Sequence, residues 1–134
     1  MQSYLCRTCG QQLYFENSRC VSCGSRLGFS RRERAIVPVD DEGRHVEAEG
    51  REWWVCRNLR LSGCTWLTSS EGGQCFACDL TRTRPNDADA VGMAAYPVAE
   101  RAKRHLVVDL EGRGLRIVTK WEDEENGLAF DLLS

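Results

Sequence analysis

The chain has 134 residues, 20 of them acidic and 18 basic, for a formal charge of −2, and 42% are hydrophobic at a mean hydropathy of −0.44. That length is one ordinary domain, no apolar run approaches the roughly eighteen residues of a membrane span, and the charge balance excludes a wholly basic nucleic-acid binder. The surplus is in cysteine: there are eight, in a chain whose start, Met1-Gln2-Ser3-Tyr4-Leu5-Cys6, has neither the basic opening nor the apolar core of a secretory signal. The expected compartment is the cytoplasm, where thiols stay reduced and clustered cysteines bind metal more often than they pair.

In chain order the first element is Cys6-x2-Cys9-x10-Cys20-x2-Cys23. Each pair opens a Cys-x-x-Cys-Gly turn, ending on Gly10 and Gly24. Two intervening residues aim both sulfurs at one ion, and glycine accepts the positive φ that a Cβ resists. A short hairpin with Leu13, Tyr14 and Phe15 joins the turns, so residues 1–34 are expected to form a first zinc ribbon with rubredoxin-like knuckles, trailed by Arg31, Arg32 and Arg34.

Residues 35–84 read as a connector and a second ribbon. Ala35-Ile36-Val37-Pro38-Val39 suits an edge strand, because proline cannot donate to a ladder. Asp40-Asp41-Glu42-Gly43 is a turn, and Glu52-Trp53-Trp54-Val55 a strand running into Cys56-x7-Cys64-x10-Cys75-x2-Cys78. The inner spacing of ten repeats, but a longer loop closes the first pair and Asp79 stands where glycine would follow the second. Core roles are expected for Trp53, Trp54 and Trp66, since a domain this small needs aromatic cover beside its knuckles. His45 and His105 are expected at the surface or in packing, as each cluster already has four sulfurs.

Eight cysteines admit 105 disulfide pairings, and a lone Cys-x-x-Cys can be a redox pair, yet here every pair has a second pair at metal-site distance. Iron also accepts four thiolates; zinc is the default because it needs no protection from redox chemistry. Four thiolates close the coordination sphere, so both zinc ions are expected to be structural, with no catalytic residue among their ligands. They would carry the net charge toward about −6.

Beyond residue 84 the texture changes. Residues 85–95 read as a polar linker, and Pro97 suits the first turn of a helix over about 97–110. Ala99, Ala102, Leu106 and Leu110 would share its docking face, and Glu100 and Arg104 would pair on the opposite one. Strands are expected at about 115–121 and 127–133, separated by the acidic loop Glu122-Asp123-Glu124-Glu125. The fold class is thus a small metal-bound β-rich protein: two tandem zinc ribbons, then one α-helix and two short strands of an incomplete α+β domain filling residues 85–134.

Several stretches carry a resemblance: Phe15-Glu16-Asn17-Ser18-Arg19-Cys20, Cys23-Gly24-Ser25-Arg26-Leu27-Gly28-Phe29, Cys64-Thr65-Trp66-Leu67, Cys75 to Pro85, Glu100-Arg101-Ala102-Lys103-Arg104 and Gly127-Leu128-Ala129-Phe130-Asp131. Together they resemble the N-terminal part of a bacterial family of zinc-ribbon proteins classed as zinc-binding metallopeptidases. The resemblance implies that ribbons and helix precede a domain with a His-Glu-x-x-His helix. This chain holds only His45 and His105, neither followed by Glu, so that catalytic motif has no counterpart here.

Two functional readings follow. One is a non-catalytic region that recognises a protein partner or polypeptide substrate for a peptidase-like domain. The other is a nucleic-acid module built on Arg31, Arg32, Arg34, Arg57, Arg60, Arg82 and Arg84, with Tyr14, Phe29, Trp53 and Trp66 interleaved. The acidic balance favours the first.

Overall fold

A computed structural model describes residues 4–132. In chain order the elements are β1 (Tyr4–Leu5), β2 (Gln12–Leu13), β3 (Leu27–Ser30), β4 (Ala35–Pro38), β5 (Arg44–Val46), β6 (Glu52–Val55), the single turn α1 (Leu59–Ser62), β7 (Leu67–Thr68), the single turn α2 (Phe76–Asp79), β8 (Thr81–Thr83), the long helix α3 (Ala90–Gly112) and β9 (Phe130–Asp131). This is a small β-rich protein with one main helix. The chain divides into two compact units, Met1–Leu59 with Cys64–Cys75 and Arg60–Gly63 with Phe76–Ser134.

The first unit is built of short antiparallel pieces. β1 pairs with β2, β3 with β4 in the register Gly28↔Val37 and Phe29↔Ile36, and β5, β6 and β7 form a three-stranded sheet. Strands of two to four residues cannot bury much by themselves. The deficit is met by aromatic packing. Phe29 lies edge-on to Phe15 at a centroid distance of 5.0 Å and to Tyr4 at 6.1 Å, and tilted against Trp66 at 4.9 Å. Phe29 and Trp66 are each 1% exposed. The Phe29 amide donates to the Thr65 carbonyl at 2.9 Å, which ties β3 to the segment that follows Cys64. A second cluster, Val37, Val39 and Leu67, is flanked by Ala35, Trp53 and Val55. Trp66 therefore takes the core role expected of it, while Trp53 and Trp54 are half-buried.

The second unit centres on α3, and here the structure corrects the sequence reading. The helix starts at Ala90, seven residues before Pro97, because Asp89 caps it: the Asp89 carboxylate accepts from the Gly92 amide at 3.0 Å. Pro97 lies inside the helix, where it has no amide to bond to Met93, and the bulk of the expected 85–95 linker is helical or cap.

The buried face is also the other one. Tyr96, Glu100, Lys103, Arg104 and Val107 are buried, whereas Ala102 and Leu106 are exposed. For Glu100 and Lys103 the reason is polar satisfaction. Lys103 Nζ lies 2.9 Å from the Glu100 carboxylate and also donates to Thr81 Oγ1, Thr81 Oγ1 donates to Glu100 Oε2 at 2.7 Å, and Arg104 Nη2 donates to the Ser62 carbonyl at 3.3 Å. Charges with such partners tolerate burial that unpaired ones would not.

The expected strand at 115–121 does not form. Residues 115–121 make only an isolated bridge, Thr119↔Leu128, with the Leu128 amide bonded to the Val118 carbonyl at 2.7 Å. Ile117 and Thr119 are buried, but Leu115 and Trp121 face solvent, so the alternation does not correspond to two sides of a sheet. Between them and β9 the acidic stretch is a set of tight turns organised by Asp123, whose carboxylate accepts from the Glu125 and Asn126 amides. Of the strand expected at 127–133, Phe130–Asp131 forms β9, parallel to β8, and Leu128 makes the bridge to Thr119; residue 133 lies outside the described residues.

Candidate metal centre

The local chain folds the way the Cys-x-x-Cys-Gly pattern requires. In both turns of the first set the glycine amide returns to the carbonyl of the leading cysteine, Gly10 to Cys6 at 2.8 Å and Gly24 to Cys20 at 2.9 Å. Both glycines sit at positive φ, +80° and +76°. The second set reaches the same end by other means. The wide gap after Cys56 holds the helical turn α1, and Phe76–Asp79 is itself a helical turn, which is why Asp79 serves where a glycine was missing.

The result is two groups of four thiols. The sulfurs of Cys6, Cys9, Cys20 and Cys23 all lie within 4.8 Å of one another, and so do those of Cys56, Cys64, Cys75 and Cys78. Individual pairs are Cys6–Cys23 at 3.8 Å, Cys9–Cys20 at 3.6 Å and Cys64–Cys75 at 3.5 Å. A disulfide would need about 2.05 Å. Sulfurs 2.3 Å from a tetrahedral zinc stand about 3.8 Å apart, so these spacings fit a metal-binding tetrahedron. The donor sets are all-sulfur, which matches structural zinc.

The two groups differ in surroundings. In the first, Cys6 and Cys20 are buried while Cys9 and Cys23 are exposed; in the second, all four cysteines are buried. Cys56 Sγ accepts from the amides of Asn58 at 3.5 Å and Cys75 at 3.4 Å. Beside it the Asn58 side chain donates to Gln74 at 3.1 Å. In the first group the Ser25 hydroxyl stands 3.0 Å from Cys23 Sγ, and this contact and the Ser25 amide draw the Cys23 thiol down to about 6. The Cys9 amide likewise lowers Cys6 against the opposing effect of burial. Both shifts favour the thiolate that a metal requires, whereas at Cys9, against the lowering effect of the Gln11 amide, burial and the neighbouring cysteines push the thiol up to about 11.

The seven arginines singled out in the sequence are shared between the two units, Arg31, Arg32, Arg34 and Arg57 in the first and Arg60, Arg82 and Arg84 in the second. Arg32 pairs with Glu47 and Glu49, Arg82 with Asp131, and Arg84 with Asp87. Arg31 and Arg34 are half-buried, Arg34 in a left-handed turn at φ +52°. Arg57 and Arg60 are exposed. Of the four aromatic residues interleaved with them, Phe29 and Trp66 are core and cannot stack on a base; Tyr14 is exposed, and Trp53 donates its indole N–H to Glu47 beneath the Arg51 guanidinium. His45 is bonded to Glu33, which Arg7 also engages at 3.0 Å. The buried Thr81–Glu100–Lys103 group was not foreseen; Glu100 and Lys103 three apart were the available signal, but the same spacing is common on exposed helix faces.

Two closed four-thiolate centres in a β-rich frame of very short strands define a structural metal-binding protein. The comparisons give that class its family: the zinc-ribbon domain family matches residues 3–89, and the chain belongs to it. Its eight cysteines fit two structural zinc ions. The chain is also 43% identical, over 136 residues, to uncharacterized proteins of Mycobacterium bovis and of two Mycobacterium tuberculosis strains. The match covers 100% of this chain, which spans 38% of the length of those curated relatives. No solved structure matches it. Among the described residues no helix is long and apolar enough to cross a membrane.

Proposed function

We propose that this chain is a non-catalytic, zinc-held recognition region that engages a protein partner or polypeptide substrate in the cytoplasm, on behalf of a peptidase-like domain in a longer protein. The observation that carries this reading is the closed coordination at both centres. With four sulfurs on each ion no position is left to activate water or polarise a carbonyl, so the ions organise surface rather than chemistry. The relatives devote most of their length to sequence outside this region, which supports a role beside a larger partner domain.

The nucleic-acid reading has less support. Three of its seven arginines are engaged by carboxylates, two of its four aromatic residues are fully buried, and the metal-loaded charge of about −6 opposes a polyanion. The test is fluorescence anisotropy of the zinc-loaded chain with a labelled, reduced and carboxymethylated polypeptide, and separately with single-stranded RNA. Polypeptide binding without cleavage, little changed between about 50 and 200 mM salt, is expected. Metal-dependent cleavage of the polypeptide, or RNA binding that collapses with salt, would replace this reading.

A further inference from the structure

We propose that the first zinc centre is an oxidation-gated site, at which hydrogen peroxide converts two of its thiolates to a disulfide and releases the ion while the second centre stays loaded. The two centres share ligand type and number, and what separates them is access. Every cysteine of the second centre is between 0 and 4% exposed, and Cys56 Sγ is further held by two backbone amides. In the first centre Cys9 and Cys23 lie open to solvent at the tips of their turns, so a small oxidant reaches sulfur without any unfolding.

Each exposed sulfur also has a buried sulfur as its near neighbour, Cys23 with Cys6 at 3.8 Å and Cys9 with Cys20 at 3.6 Å. This arrangement supplies a resolving thiol at once, and it diverts the chemistry from irreversible over-oxidation. The thiolate of Cys23 attacks one peroxide oxygen, the O–O bond breaks, and a sulfenic acid forms as the first water leaves. The Cys6 thiolate then attacks the Cys23 sulfur, the S–O bond breaks, an S–S bond forms and the second water leaves. Two protons are taken up, the two sulfurs each give one electron, and the peroxide accepts both. An S–S bond of about 2.05 Å cannot span two corners of a zinc tetrahedron, and the two thiolates that remain are too few to hold the ion.

The zinc-loaded 134-residue chain is treated with hydrogen peroxide in the presence of a chromogenic zinc chelator, then alkylated and mapped by peptide mass spectrometry. One equivalent of zinc is expected to leave about tenfold or more faster than the other, with a disulfide confined to Cys6, Cys9, Cys20 and Cys23, and to return after thiol reductant and zinc are added. Release of both ions together, first release from the Cys56 cluster, or no oxidation in the first cluster would overturn the proposal. A Cys23→His variant keeps four ligands but removes an exposed sulfur. If it binds two zinc ions, slower release supports the proposal and unchanged fast release overturns it; if it does not, the peptide map of the unsubstituted chain decides.

Discussion

The cysteine-bearing ribbons and the α3 region solve the problem of a small core in different ways. The ribbons have strands of two to four residues and two small apolar clusters, the aromatic group Tyr4, Phe15, Phe29 and Trp66 and the aliphatic group Val37, Val39 and Leu67, which sulfur–metal bonds supplement. The α3 region has no metal ligand on its helix and buries charge: Glu100, Lys103 and Arg104 are 0, 4 and 2% exposed. Metal coordination is strong and local, so it tolerates irregular backbone around it. A buried ion pair is conditional, since each partner is stabilising only while the other is present. The difference teaches that small apolar clusters are supplemented by metal in one region and by buried charge in the other, so the two regions should respond to different perturbations.

The largest expected effect is metal removal. Structural zinc contributes apparent binding free energies of about 10–16 kcal/mol, far above the stability of a ribbon this small. A strong chelator should therefore abolish the near-ultraviolet circular dichroism of the Phe29–Trp66 packing, and native mass spectrometry of untreated protein should find two zinc ions. An aromatic signal that survives zinc loss would show that the ribbons have a core of their own and break the comparison.

Glu100→Ala tests the other side. It strands Lys103 in a dry site, and the expected loss is about 3–5 kcal/mol in urea unfolding followed by far-ultraviolet circular dichroism with zinc in excess. Replacing both partners, Glu100→Leu with Lys103→Met, should restore stability to near the starting value. A large loss in the double variant would mean that the pair does more than satisfy itself.

Gly28→Ala probes close packing inside the ribbons. A Cβ there would stand 2.7 Å from Leu67 Cδ2 and 3.1 Å from the Thr65 carbonyl oxygen, on backbone tied to β3. The expected cost is about 1–3 kcal/mol, read as a lower thermal midpoint with zinc still bound. The smallest effect belongs to the helix start: Asp89→Ala removes the acceptor for the Gly92 amide, at about 1 kcal/mol, and amide exchange should rise only in the first turn of α3.

The metal centres were legible before any coordinates because ligand spacing is a local property. Cys6-x2-Cys9 and Cys20-x2-Cys23, each followed by glycine, state their turns outright, and the structure bears out both groups of four cysteines. The second group needed more inference, since its gap of seven residues holds the turn α1, of which Gly63 at φ +71° marks only the end. The helix was legible in kind but not in extent. Pro97 looked like a start, and Asp89, the actual cap, sits among other polar turn residues that do not distinguish it. Its buried face was misassigned for a physical reason: an apolar stripe of Ala99, Ala102, Leu106 and Leu110 was available, but small alanines bring little area, and Thr81 and Ser62 offered hydrogen bonds that made burying the charged side feasible. The strand expected at 115–121 failed similarly, because alternation along a sequence does not supply a partner strand.

By itself, then, the sequence determined the eight sulfurs, their division into two sets of four, the closed coordination and the zinc-ribbon class, because these depend on residue type and on spacings of a few residues. Tertiary structure decided which cysteines are open to solvent, which arginines are engaged by carboxylates, which aromatic residues form the core and which side of α3 is buried. Those properties depend on partners distant in the chain, as Arg82 and Asp131 are, and a side chain's environment is settled only when the partners that satisfy it have been brought within hydrogen-bond reach.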